Sequence, residues 1–406
     1  MQPPAGATAS SPQAPTATPA TRTPEPPDTP EAVTFATTFG GERRDRGIHL
    51  LQTQDGGYAV VGYSSSPGAA SEDVYLVRTD SHGEMIWSRT YGGPGIDNGW
   101  DLIETEDGSF LITGFTDSTG AGLMDIYLLR TDRDGNLLWE RTYGGPGDEY
   151  GWAMTATTDG NYVLAGQTTS FGAGLEDGFL VKVSPEGDQL WSQTFGGEAE
   201  DRLFSIDRSA DGGFILTGTT RSFGPGSRNL YLVKTNSAGE QDWMQVFGED
   251  RDDVGHAVRQ THDQGFIVTG YTKSFEASDY DSWLVKTDET GALQWQALFG
   301  GPGDDRTIYG EPTADGGFVL TGYTRNFGAR GWDVFLVKTG ADGQVEWHKN
   351  FGGVADDTGY TVKQAADGGF VLAGETYSLG AGGGDLYLIK VDQEGEVPGL
   401  AAPTQP

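Results

Sequence analysis

The 406-residue sequence contains no cysteine. That absence removes disulfides, thiol catalysis and thiolate metal sites together. Positive charge is also scarce: 26 Lys and Arg stand against 59 Asp and Glu, a formal charge of −33. Phosphate-backbone binding needs clustered Lys and Arg, so no nucleic-acid partner is expected, and anionic membrane surfaces are disfavoured. The charge suits solubility, cations or basic partners. The five histidines (His49, His82, His256, His262, His348) form no zinc spacing. The sequence has no phosphate-binding Gly-Lys-Ser/Thr loop, no dinucleotide fingerprint and no G-x-S-x-G elbow. Nor does it show a sustained helical period, a signal-peptide core or a transmembrane run. A mature chain, with leader and anchor removed and no direct membrane insertion, is the expectation.

What is present is repetition. An aromatic-Gly pair falls at Phe39, Tyr91, Tyr143, Phe195, Phe247, Phe299 and Phe351, each step 52 residues. An invariant period of this size marks a solenoid or propeller. Each copy holds four strand-like runs. In the second copy they are 100–105, 110–116, 125–131 and 137–142, divided by Asp-Gly turns and one Gly-rich loop. Short β-branched and aromatic runs with this punctuation predict a four-stranded antiparallel meander, one propeller blade. The fold class is therefore all-β, a seven-bladed β-propeller over residues 32–395.

Closure is legible too. Trp87, Trp139, Trp191, Trp243, Trp295 and Trp347 mark the fourth strand of six copies, while the seventh loses the pattern after Val391. Phe35 stands where a Trp is due ahead of the first copy. Residues 33–39 should therefore complete the last blade and cover its open edge. Inside each second strand lies a glycine, which weakens a strand unless something needs the space. A register pairing Gly62 with Tyr75, Gly114 with Tyr127, Gly166 with Phe179 and Gly270 with Trp283 would lay an aromatic over each.

Residues 1–31 are different in kind. Pro, Ala, Thr and Ser dominate, no core can form, and the segment reads as a semi-extended, disordered linker. Residues 396–406 read as a flexible tail. The strings FGGxxxD, DGG[FY], GxTxSFGxG, Dx[YF]L[VI]K and Wxxx[FY]GG recur along the copies with variations. Together they resemble the bacterial seven-bladed propeller repeats of secreted and surface-anchored proteins. That resemblance covers residues 33 to about 392, implies an extracytoplasmic location with anchoring through the linker, and carries no catalytic motif.

Residues present in every copy should build the blade; residues that break the pattern are the functional candidates. The recurrent acids Asp45, Asp97, Glu149, Asp201, Asp253, Asp305 and Asp357, with Asp73, Asp125, Asp177, Asp281, Asp333 and Asp385, should share one face of the ring. One reading is a ring of Ca2+ sites at carboxylates such as Asp253, Asp305 and Asp357. The other has them accept loop N–H groups and cross-strand Thr or Ser hydroxyls. The basic series Arg78, Arg130, Lys182, Lys234, Lys286, Lys338 and Lys390 should pair with the Asp of the Asp-Gly turns. Ile48, Trp100, Trp152, Phe204, His256, Ile308 and Tyr360 should either line the channel mouth or pack between blades, the second being favoured.

The exceptions cluster in copies five and six. Pro312 should bend or demote an innermost strand. Tyr280 and Trp332 are bulky loop residues, with Arg325 and Arg330 nearby and Tyr309 on the first strand of copy six, and aromatics with arginines on a rigid scaffold are typical of recognition surfaces. The function expected is an extracytoplasmic binding module, monomeric, presenting its loop face to a cell-surface glycan or an envelope protein. The alternatives are a propeller hydrolase or lyase using Asp304, Asp305 and Glu311 at the channel mouth, and a purely architectural surface protein. No nucleophile–base pair supports the enzyme.

Overall fold

A computed structural model describes residues 33–398 apart from 67–70, 276, 278 and 327–330. Arg330, the linker over 1–31 and the end of the tail lie outside the described residues. Seven four-stranded antiparallel sheets follow one another, and six are built from four consecutive strands. The seventh takes its outermost strand, Phe35–Phe39, from the start of the chain and pairs it with Asp385–Val391. The fold is the expected propeller, with no helix among the described residues.

Within each blade the expected registers hold. Gly62 faces Tyr75, Gly114 faces Tyr127, Gly166 faces Phe179 and Gly270 faces Trp283. The reason for the glycine lies on its other side. A Cβ on Gly114 would strike the Asn98 carbonyl and lie 3.2 Å from the Cα of Gly99 on the innermost strand. That crowding comes from a bulge. Every innermost strand shifts register once, between Gly47 and His49 in the first blade and at the six equivalent places. The extra residue in each case is Ile48, Trp100, Trp152, Phe204, His256, Ile308 or Tyr360. A bulge re-aims a side chain, and all seven line the central channel. Of the two expected placements the channel lining is the one adopted, and the favoured inter-blade packing is corrected, although the rings still meet along the wall: Trp100 and Trp152 lie edge to face at 4.4 Å.

Blades are held together by recurrent contacts. Trp87, Trp139, Trp191, Trp243, Trp295 and Trp347 each cover the positive-φ turn glycine of the next blade; Trp295 atoms lie 2.7 Å from where a Cβ on Gly343 would stand. Phe35 covers Gly83 in the same way. All seven basic residues pair with their turn aspartates, for example Lys234 with Asp211 at 2.7 Å and Lys390 with Asp367 at 2.9 Å. Pro312 does not bend its strand. It occupies the last position of Asp305–Pro312, opposite Phe318, and the register matches the other blades. A strand end needs no N–H from it. Packing also runs past Gly395: Val397 rests on the core of the last blades and Glu396 pairs with Lys349.

Candidate functional site

The residues opening the first and third strands meet on one face, as expected. Asp97 N donates to the Glu72 carbonyl, Glu149 N to Met124 and Asp201 N to Glu176, stitching each blade to the next. The recurrent carboxylates organise these loops. Asp97 accepts the Thr116 hydroxyl, the Ser118 hydroxyl at 2.6 Å and Gly93 N at 2.7 Å. Asp253 takes Thr272, Ser274 at 2.8 Å and Glu249 N at 3.0 Å; Asp305 takes Thr324, the Asn326 amide and Gly301 N at 3.0 Å. Asp357 accepts Ser378 at 2.7 Å and Gly353 N at 2.8 Å. Among the described residues no group of three or more His, Asp or Glu is placed to hold a metal ion.

Over blades five and six the loop face carries a continuous series of cations and rings. Lys273 Nζ lies 4.8 Å from the Tyr280 ring centroid, and the Arg306 guanidinium lies 4.2 Å from the same centroid on its other contact. Arg306 also reaches Tyr271 at 5.2 Å and Tyr323 at 6.0 Å. Tyr323 meets Trp332 edge to face at 4.7 Å, and Arg325 stacks over Trp332 at 4.1 Å. Asp304 anchors Arg306 at 3.1 Å and Asp252 accepts the Tyr280 hydroxyl at 3.1 Å. Burial would lower the Arg306 pKa, but Tyr323, Tyr271 and Asp304 outweigh it and hold the guanidinium charged. Tyr280, Tyr323 and Trp332 are half-buried and Arg325 is exposed.

The structure therefore joins Tyr280, Arg325 and Trp332 through residues the sequence reading missed: Arg306, Tyr271 and Tyr323. A signal existed, since Arg46, Arg202 and Arg306 stand at a position that is Asn98, Tyr150, Val254 or Thr358 in the other blades. Tyr309 is not on this face. It projects from the innermost strand of blade six into the channel, buried, where its hydroxyl accepts hydrogen bonds from Arg259 and Lys363. The proposed acid trio is also dispersed. Asp304 and Glu311 stand at opposite ends of one strand, roughly 20 Å apart, Asp305 is buried in its Thr324 bond, and Glu311 pairs with Lys363 at 3.1 Å. Paired hydrolytic carboxylates need a separation of about 5–10 Å.

The channel itself encloses about 470 Å3. Toward the loop face its wall is Trp100, Trp152, Phe204 and His256; deeper lie His49, Asp101, Arg259, Tyr309 and Lys363. Burial pushes His256 down to about 4, with the charge of Arg306 adding to it. Burial would raise Asp101, but His49 at 2.7 Å, Met154 N at 2.8 Å and Lys363 together hold its carboxyl below the usual range.

No family model matches this chain. A regulatory protein of Caulobacter vibrioides, FlaEY, is 25% identical over 248 residues, covering 55% of this chain and 25% of that protein. The chain thus spans about a quarter of the length of this curated relative. Among solved structures, the Pan2 WD40 domain of Neurospora crassa covers 93% of this chain and 100% of its own with a TM-score of 0.51 at 8% identity. BBS1N, solved in complex with ARL6DN, covers 90% and 98% with a TM-score of 0.51 at 10% identity. At such identities the likeness is one of fold, and it agrees with the ring of blades described above.

Proposed function

We propose that this propeller is an extracytoplasmic binding module whose loop face over blades five and six takes a glycan or a protein partner. The observation that carries the reading is the series Lys273, Tyr280, Arg306, Tyr323, Trp332 and Arg325, in which each cation contacts a ring. Rings pre-positioned on a rigid scaffold lose little conformational entropy on binding, and Tyr, Trp and Arg dominate binding hot spots. Flat aromatic faces beside carboxylates suit a sugar; the same faces beside arginines suit a protein surface. BBS1N, similar in fold, is solved bound to ARL6DN, which supports a propeller face as a protein-binding surface. The Thr- and Pro-rich composition of residues 1–31 supports display away from a cell surface.

A glycan array probed with the wild type, Trp332→Ala and Arg306→Ala tests the assignment. Signal in the wild type that both variants lose supports a glycan ligand. An empty array, with an envelope protein co-purifying with the wild type and not with the variants, supports the protein partner. Undiminished binding by both variants removes this face from the function.

A further inference from the structure

Blades two and three present a different surface on the same face of the ring. Their loops, residues 91–98, 116–125, 143–150, 168–177 and 195–201, contain no Lys, Arg or His. The matching loops of blades four to six carry Arg221, Arg228, Arg251, Lys273 and Arg325. Arg202 and Arg221 mark the border, where they pair with Glu176 at 2.7 Å and Glu200 at 3.1 Å.

Two leucines protrude from this sector. Leu123 and Leu175 occupy one position of the repeat and are 69% and 70% exposed. Elsewhere that position is Ser71, Ser227, Asp279, Gly331 or Gly383, so the blade does not require an apolar residue there. Their loops are pinned against the neighbouring ones. Leu123 N donates to the Gly147 carbonyl at 3.0 Å, and a Cβ on Gly122 would strike that same oxygen. Gly174, just before Leu175, stands in the same way against the Gly197 carbonyl. Phe171 joins the two leucines. It shares a loop with Leu175, is exposed, rests on Phe179 at 5.5 Å, and sets its ring tip beside Gly145 in the loop that also holds Leu123.

Acids flank this apolar surface at each junction. Asp117 lies beside Ile96, Asp148 beside Met124, and Glu198 beside Gly174. Asp117 and Glu198 are exposed and Asp148 is half-buried. Apolar side chains fixed on a rigid scaffold inside a polar rim mark interaction sites. A rim of one sign selects its partner by charge, and acids oppose an anionic bilayer.

We propose that the loop face over blades two and three docks a basic amphipathic segment of a partner protein. Its apolar stripe lies on Leu123, Phe171 and Leu175, and its Lys or Arg side chains meet Asp117, Asp148 and Glu198. This surface is separate from the series over blades five and six and does not depend on that reading.

The test uses the full chain and three labelled probes: an amphipathic Leu/Lys helix of about four turns, its Leu/Glu counterpart, and an oligolysine of equal charge. Binding is read by fluorescence anisotropy. The Leu/Lys helix should bind at least about tenfold more tightly than either control, because one loses the charge match and the other the apolar contact. Leu123→Ser and Leu175→Ser leave the charge unchanged and should each weaken it by about tenfold. Both are surface changes and should melt like the wild type. Trp332→Ala should bind like the wild type. No binding of the Leu/Lys helix, or oligolysine binding as tightly, would overturn the assignment. So would full affinity in both leucine variants, or an equal loss in Trp332→Ala. Wild-type binding to phosphatidylcholine vesicles, or self-association in light scattering, that the leucine variants lose would give the leucines to lipid or to a second copy and overturn it too.

Discussion

Phe35 pairs with Lys390 across the closing seam, on the rung where each other blade sets a tryptophan against its basic residue. Its ring meets Tyr58 of the first blade edge-on at 5.9 Å, as Trp87 meets Phe110 at 6.1 Å. The seam is therefore a smaller version of the six other junctions. Phe35→Ala should cost about 2–4 kcal/mol in urea denaturation, and removal of residues 33–39 should expose a strand edge and promote association. A truncated chain that stays monodisperse with an unchanged midpoint would show that the seam contributes nothing to closure.

Gly343 and Gly316 offer a matched pair. Both have positive φ, +77 and +87, but a Cβ on Gly316 meets nothing within 4 Å while one on Gly343 meets Trp295 at 2.7 Å. Gly316→Ala should cost only the backbone term, about 1 kcal/mol. Gly343→Ala should cost at least about 1 kcal/mol more, because the indole must move. Equal losses in thermal melts would mean that the tryptophan does not press on the turn.

Stability should fall as pH rises from about 4 to about 6.5. Burial, then Asp305 and Asp279, push the Asp281 carboxyl up to about 6, and burial shifts Asp125, Asp177, Asp253, Asp305 and Asp385 in the same direction. An acid with a raised folded-state pKa favours the folded state fully below its unfolded value, and this stability is lost as pH rises through the shifted one. The turn aspartates act oppositely. Asp211 and Asp315 are held near about 2, chiefly by Lys and hydroxyl bonds that outweigh burial, so their contribution is lost only in stronger acid. Asp281→Asn should therefore raise stability at neutral pH by about 1 kcal/mol after solvent screening, read as a higher melting temperature, and do little near pH 4. The same gain at both pH values would contradict the assignment.

Calcium provides a fourth test. If Ca2+ binds at Asp253, Asp305 or Asp357, it must displace the Thr272, Thr324 and Ser378 hydroxyls that these carboxylates now accept. Ligand binding to the folded state raises the melting temperature with the logarithm of ligand concentration above its Kd. Given that competition, melting curves in millimolar Ca2+ and in EDTA should superimpose. An upward shift in Ca2+, abolished by Asp305→Asn, would instead establish a cation site on the loop face.

The repeat, the strand rungs, the seam and the basic–aspartate pairs could all be read in the sequence. Each depends on residues fewer than about 30 apart, or on one period applied seven times, and strand alternation with tight turns leaves few other solutions. The channel could be read only in part, because the sequence left Trp100 and its equivalents between the channel mouth and inter-blade packing. A bulge slips the strand by one residue and turns Trp100 and its equivalents inward, and alternation alone puts them on the other side. Nor could the chain order show that Tyr309 would meet Arg259 and Lys363, or that Arg306 would join Tyr280 to Trp332. Those neighbours come from different blades, and only the closed circumference of the ring brings them together.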